Sequence, residues 1–131
     1  MKNALRLLSV FILLISCSRW GNEVVIYTSL DQIYSEPILK AYEQKTGAKV
    51  KAIYDVEAAK TTGLVNRLIA EKDNPKCDVF WNSEIGRTLI LKEKGVLAPC
   101  FSPSARDIPD RFKDKDGYWT GFAARARNRG T

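Results

Sequence analysis

Glu23-Val24-Val25-Ile26-Tyr27-Thr28-Ser29-Leu30-Asp31 is the stretch on which the fold turns. Its opening, Glu23 to Tyr27, carries an unbroken β-branched and aromatic run, the pattern of a strand buried in a parallel sheet. Thr28-Ser29-Leu30-Asp31 then supplies a loop of helix-capping residue types. A helix is predicted from about Ser35 to Thr46, with Pro37 in its first turn and Ile38, Leu39 and Tyr42 on one face. Gly47 stands where such a helix should end.

The same order recurs downstream. Lys49 to Tyr54 alternates polar and apolar, as a second strand does. Thr61 to Lys72 is a second helix with Leu64, Val65, Leu68 and Ile69 on one stripe, stopped by Asn74-Pro75. Asp78 to Trp81 is a third short strand. Ser83 is placed to cap a third helix that runs to Lys94, closes at Gly95 and buries Ile85, Leu89 and Ile90. Phe101 to Asp116 reads as a surface connection, and Tyr118 to Phe122 as the start of another strand. The order βαβαβα predicts an α/β fold: an open, mostly parallel sheet with helices on both faces, joined by right-handed crossovers.

Composition narrows the chemistry. The chain has 131 residues, 45% of them hydrophobic, enough for one domain with a real core. It has no His, which excludes His-ligated zinc or haem and any Ser-His-Asp or Cys-His catalytic set within the chain. Three Cys without a CxxC pair exclude a zinc ribbon and a thioredoxin-type motif. The formal charge of +6 is concentrated at the ends, in Lys2 and Arg6 and in Arg125, Arg127 and Arg129. The body is close to balanced, so no nucleic-acid partner is expected.

The N-terminus reads as an export signal. Lys2 and Arg6 precede an apolar stretch from Leu7 to Ile15 that is too short to span a bilayer comfortably. Leu14-Ile15-Ser16-Cys17 resembles the bacterial lipobox, which makes residues 1–16 a lipoprotein signal peptide and Cys17 the lipidated first residue. Residues 17–22 are then a tether, and residues 23–131 the folded part. The expected location is periplasmic or at the cell surface, attached to the membrane by acyl chains worth roughly 0.8 kcal/mol per buried CH2. An ordinary secretory signal with a chance Cys is the alternative.

In open parallel sheets ligands gather beyond the carboxyl ends of the strands. The three loops there offer Thr28, Ser29 and Asp31; Asp55, Glu57, Lys60, Thr61 and Thr62; and Asn82, Ser83 and Glu84. Hydroxyls and helix N–H groups suit an anion; converging carboxylates suit a hard cation. Every one of these types also has a structural use. Ser83, Thr61 and Asp31 can be caps alone, Glu84 gains from a helix dipole, and Asp55, Lys60 and Thr62 can be merely solvated. Tyr27, Tyr54 and Trp81 are expected to pack under the sheet edge. A Cys77–Cys100 disulfide is permitted in an oxidising exterior but not fixed by the sequence.

Val24-Val25-Ile26-Tyr27-Thr28-Ser29, with the helix ending Tyr42-Glu43-Gln44-Lys45-Thr46-Gly47-Ala48-Lys49-Val50, resembles the opening of bacterial extracellular solute-binding proteins. Gly63 to Glu71, Asp78 to Glu84 and Lys94 to Pro99 resemble their ferric-iron-binding branch, and Tyr118 to Phe122 with Ala124 to Arg127 match a later stretch. The likeness covers residues 23 to 127. It implies a type II periplasmic-binding fold and a receptor, not an enzyme, that hands its solute to the permease of an ABC importer. It implies a monomer without a resident cofactor, ferric iron being the cargo. Thr28, Ser29, Asp31, Glu57, Asn82, Ser83, Glu84 and Arg125 would line the ligand, with Asp31 and Glu84 as metal ligands.

Two departures qualify the likeness. Asp31 stands where several iron-binding members place a His, and Arg125 falls at an arginine near the cleft, so an organic or phosphonate-like anion is an alternative ligand. Asn128-Arg129-Gly130-Thr131 interrupts the pattern where an apolar strand and then a second lobe, bearing the tyrosine pair of iron-binding members, would follow. The expectation is a truncated copy with impaired binding. Two other classes compete: a lipid-anchored interaction module, and a metal hydrolase using Asp31 or Glu84, for which no nucleophile or oxyanion site is assembled.

Overall fold

A computed structural model describes residues 22–55 and 62–123. The elements in order are β1 (Glu23–Thr28), α1 (Gln32–Thr46), β2 (Lys49–Tyr54), α2 (Thr62–Ala70), β3 (Val79–Trp81) and α3 (Ile85–Glu93), followed by 3-10 turns at Pro103–Ala105 and Asp110–Phe112. The strands form one parallel sheet in the order β2-β1-β3. From β1 the chain steps to one side through α1, then back across β1 through α2. Parallel crossovers of this kind are right-handed as a rule, and reversing direction then sends the two helices to opposite faces.

The register builds the two faces row by row. Tyr27 lies opposite Ile53 on one side and Phe80 on the other. That row faces α2 and α3, where Tyr27, Leu64, Val65, Leu68 and Leu91 form the core, flanked by Val25, Ile53, Ile69 and Phe80. The next row, Tyr54–Thr28–Trp81, points to the other face by strand alternation. On that side Leu39 and Ser35 of α1 are buried, and Leu39 lines a groove of about 190 Å³ with Val50, Ala52 and Tyr54. Glu43 Oε1 accepts the N–H of Val50 at 2.7 Å, so α1 also satisfies an outward-facing donor of the edge strand.

The first three expected strands hold, in the expected order along the chain; the helices differ in detail. Helix α1 starts at Gln32, not near Ser35, because the carbonyl of Asp31 takes the N–H groups of Tyr34 and Ser35 and the Ser35 hydroxyl. Pro37 therefore lies inside the helix, past its first turn. Ile38 and Tyr42 are exposed, and only Leu39 of the expected trio is buried. Gly47 ends α1 in the left-handed region at φ 71°, donating to Glu43 O. Helix α2 follows expectation, with Leu64, Val65 and Leu68 buried. In α3 the expectation fails: Thr88 and Leu91 are buried, while Ile85, Leu89 and Ile90 are exposed. The helix is rotated so that Leu91 reaches the shared core.

Beyond Pro99 the expected strand at Tyr118–Phe122 is reduced to one antiparallel bridge, Lys113 to Thr120. The backbone there folds on itself instead: Asp114 N–H donates to Trp119 O, and Gly117 N–H to Asp114 O. Lys92 of α3 anchors this turn through Asp114 at 2.7 Å and Asp116 at 3.2 Å, its ammonium 4.9 Å from the Tyr118 ring centre. Cys77 and Cys100 are free thiols, so the permitted disulfide is not formed. Cys77 Sγ instead donates to Val79 O. Among the described residues no helix is long and apolar enough to cross a membrane.

Candidate functional site

All three strands run the same way, so their carboxyl ends share one rim. The strand order reverses at β1, which opens the crevice between β1 and β3. At this switch point the ladder runs one step past the strands: Ser29 N–H donates to Trp81 O at 3.2 Å, and on the other side Asp55 N–H donates to Thr28 O at 3.2 Å. The loops bearing Thr28, Ser29 and Asp31 and those bearing Asn82, Ser83 and Glu84 are thereby held side by side. Of the remaining expected residues, Glu57, Lys60, Thr61 and Arg125 lie outside the described residues, as do Cys17 and the leader.

Each side chain has a local account. Thr28 is fully buried, and its Oγ1 accepts the N–H of Leu30. Ser29 is 8% exposed, and its Oγ finds no hydrogen-bond partner among the described residues. A buried hydroxyl in that state forgoes about 1–3 kcal/mol. Alternation puts Ser29 on the face of Tyr27, the side of α2 and α3. Asp31 is exposed at the N-cap position of α1 and makes no side-chain cap hydrogen bond.

The loop after β3 corrects the expected cap. Glu84, not Ser83, occupies the N-cap position of α3, again without a side-chain cap bond. Asn82 organises the loop: its Oδ1 accepts the Glu84 N–H at 2.7 Å, and its Nδ2 donates to Thr88 Oγ1. Ser83 is exposed.

Sequence reasoning missed one residue and undervalued two. Arg87 donates to Thr62 Oγ1 at 3.1 Å and lies 3.7 Å from Glu84 Oε2, tying the starts of α2 and α3 together across the rim. The spacing Glu84 to Arg87, three apart on a helix, was the available signal. Thr62 and Asp55, whose types suit solvated positions, have contacts in the structure. Asp55 is half-buried, and its carboxylate lies against the first turn of α2, within 3.3 Å of where a Cβ on Gly63 would stand. Trp81 closes the β3 end, its ring 5.7 Å from that of Phe122.

The rim thus carries Asp31 and Glu84 at the N-caps of α1 and α3, Asp55 just past β2 with its carboxylate against the first turn of α2, and Arg87 beside Glu84. Among the described residues no three His, Cys, Asp or Glu side chains gather closely enough to hold a metal ion by themselves. The arrangement can contribute ligands to a solute held from another side.

The comparisons with known proteins agree with this geometry. Iron uptake protein A1 of Synechocystis is 27% identical over 80% of this chain and 28% of its own length. A probable ABC transporter periplasmic-binding protein of Sinorhizobium fredii is 42% identical over 41% of this chain and 15% of its own. The crystal structure of apo ferric ion-binding protein A of Pasteurella haemolytica superposes with a TM-score of 0.67 at 29% identity, over 77% of this chain and 30% of that one.

In fold and sequence the chain matches the solute-binding proteins of ABC importers related to ferric-binding receptors.

Its sheet and helices correspond to part of a type II periplasmic-binding lobe. The chain spans less than a third of the length of these relatives. They are named for binding and uptake, not for catalysis. No family model matches the chain.

Proposed function

We propose that this protein is an extracytoplasmic solute-binding component of an ABC importer, with ferric iron or an iron complex as its solute. One observation carries the reading: three helices of a matching lobe begin at one rim of a parallel sheet, with Asp31 and Glu84 at the N-caps of α1 and α3 and the Asp55 carboxylate, from the end of β2, against Gly63 in the first turn of α2. Carboxylate oxygens are the donors a hard cation selects. Asp31 and Glu84 are its ligands in this reading. Thr28, Ser29, Asn82 and Ser83 line the solute, and Glu57 and Arg125 complete the set. Export by residues 1–16, an anchor at Cys17 and docking on a permease belong to the same reading. They are supported by the leader's pattern and by the relative named as periplasmic.

A single rim leaves most of a solute in water, whereas a closed site buries roughly 70–90% of it. The described rim alone is therefore a weak site. Trp81 reports on it. Titration with ferric citrate should quench tryptophan emission saturably, with a dissociation constant weaker than about 1 μM. The double variant Asp31→Asn/Glu84→Gln should weaken binding at least about tenfold. Quenching indifferent to both substitutions overturns the assignment, and micromolar or tighter binding overturns the claim of a weak site.

A second reading, an organic or phosphonate-like anion, is favoured by Arg87 and by the unpartnered Ser29 hydroxyl beneath the helix starts. It expects iron-free citrate or phosphonoacetate to give the same quenching, lost in Arg87→Ala.

A further inference from the structure

Arg87 stands in the first turn of α3 and makes two contacts of different kinds. Its Nη2 donates to Thr62 Oγ1 at 3.1 Å, which reaches across to the first residue of α2 and fixes where the guanidinium sits. Its Nε lies 3.7 Å from Glu84 Oε2, beyond hydrogen-bond length, so that contact is electrostatic alone. The Arg87 and Glu84 side chains are 39% and 55% exposed, and a solute at the rim can reach both. Exposed pairs of this kind are weak. A cation arriving at Glu84 therefore displaces Arg87 from the carboxylate, yet the bond to Thr62 keeps the guanidinium close by. A tie between α2 and α3 would need only the Thr62 bond; the nearby carboxylate is left over by that account.

Whatever binds Glu84 must then share it with a tethered positive charge. A bare metal ion is repelled by that charge. A metal ion that already carries carboxylates or other anionic groups brings acceptors for it. A guanidinium has five N–H donors in a planar fork that fits a carboxylate, and the bond to Thr62 uses one of them. Ser29 adds a second, independent sign that the rim awaits an oxygen ligand. It is 8% exposed, its Oγ has no hydrogen-bond partner among the described residues, and alternation puts it on the side of α2 and α3. We propose that Arg87 is a specificity-determining residue, which turns the rim away from an uncomplexed metal ion and toward an anionic metal chelate whose outer oxygens it binds. This assignment rests on the reading of the rim as a site for a metal-bearing solute, and narrows that solute to the chelated form.

Two probes titrated into the full chain test it. Terbium(III) chloride supplies a bare trivalent ion, read by luminescence sensitised through tryptophan. Ferric citrate supplies a chelate, read by quenching of tryptophan emission. Arg87→Gln removes the charge. It should tighten terbium binding by about three- to tenfold and weaken ferric citrate by a similar factor. Arg87→Lys keeps the charge but lacks the fork. It should hold terbium at the wild-type affinity while ferric citrate stays weakened. Glu84→Gln should weaken both probes, with circular dichroism confirming that each variant is folded. A purely structural tie between the helices would move both probes in the same direction in Arg87→Gln. That result, or a ratio of the two affinities unmoved by Arg87→Gln, overturns the assignment, while the loss in Glu84→Gln leaves the metal reading of the rim standing. Probes indifferent to Glu84→Gln overturn both.

Discussion

At the scale of single residues, the turn after α3 depends on a missing side chain. Gly117 sits at φ 81°, with the Phe101 ring so close that a Cβ would stand 2.8 Å from its Cζ. Two effects oppose any larger residue, and their sizes differ. Phe101 is exposed and can swing aside, so the clash is cheap to relieve. The backbone conformation cannot be relieved without undoing the turn, because Gly117 N–H donates to Asp114 O and Cys100 N–H donates to Gly117 O. An L-residue in that region costs about 1–2 kcal/mol. Gly117→Ala should therefore destabilise the protein by about that amount in urea denaturation. The deletion Phe101→Ala in the same background should not recover it. If removing the ring restores stability, the clash and not the backbone is the cause.

At the scale of elements, the sequence showed which segments would be strands and helices better than it showed how each helix turns. The strand runs were readable because burial on both faces demands β-branched and aromatic residues, as in Val24 to Tyr27. In α2 the stripe Leu64, Val65, Leu68 was readable because that helix meets the core along its whole length. In α3, Ile85, Leu89 and Ile90 suggested one face, yet the helix presents Thr88 and Leu91 inward. Asn82, six residues before Thr88, and Asp114, 22 residues after Lys92, bond these side chains and favour that rotation, and neither contact shows in the helix's apolar pattern. The rim was legible for the same reason that its residues were ambiguous: Asp31 and Glu84 do stand at helix N-caps. The Arg87 bond to Thr62 was not legible, since the two are 25 residues apart; only the Glu84–Arg87 spacing was. The early start of α1 has its own consequence. Pro37 becomes the sixth residue of a 15-residue helix, where it deprives the Ile33 carbonyl of a donor. An interior proline costs about 3 kcal/mol in a helix, against a gain of up to about 1 kcal/mol from stiffening the unfolded chain. Pro37→Ala should stabilise the protein by about 2 kcal/mol, with a rise in helical circular dichroism. An unchanged denaturation midpoint would mean that α1 is already bent to suit the ring.

At the scale of the whole molecule, the parallel core contains a polar knot that ties stability to pH at both ends of the scale. Tyr27, wholly buried in the central strand, donates its hydroxyl to Glu71 Oε2 at 2.9 Å. Arg67 bonds Glu71 Oε1 at 2.8 Å and lies 4.7 Å from the Tyr27 ring centre. The Arg67 bond, reinforced by the Tyr27 hydroxyl against some burial, holds the Glu71 carboxyl below its ordinary value of 4.5. Burial, and then the bond to Glu71, pushes the Tyr27 phenol above its ordinary 10.0. A carboxylate with a depressed value in the folded state stabilises it fully above pH 4.5 and loses that contribution as pH falls through the lowered value. A phenol with a raised value does the reverse: its contribution is complete below pH 10 and disappears as pH climbs through the raised value. Asp114, drawn down by Lys92, adds to the acid limb from the far side of α3. Glu71→Gln should therefore lower the melting temperature at pH 7. The gap to the wild type should close as the pH falls below 4.5, because acid has already protonated the wild-type carboxyl. Tyr27→Phe should flatten the alkaline limb while leaving the acid limb driven by Arg67 and Glu71. Melting curves from pH 2 to pH 11 decide the matter: a Glu71→Gln gap that persists undiminished at pH 2 would show that the knot stabilises by packing rather than by charge.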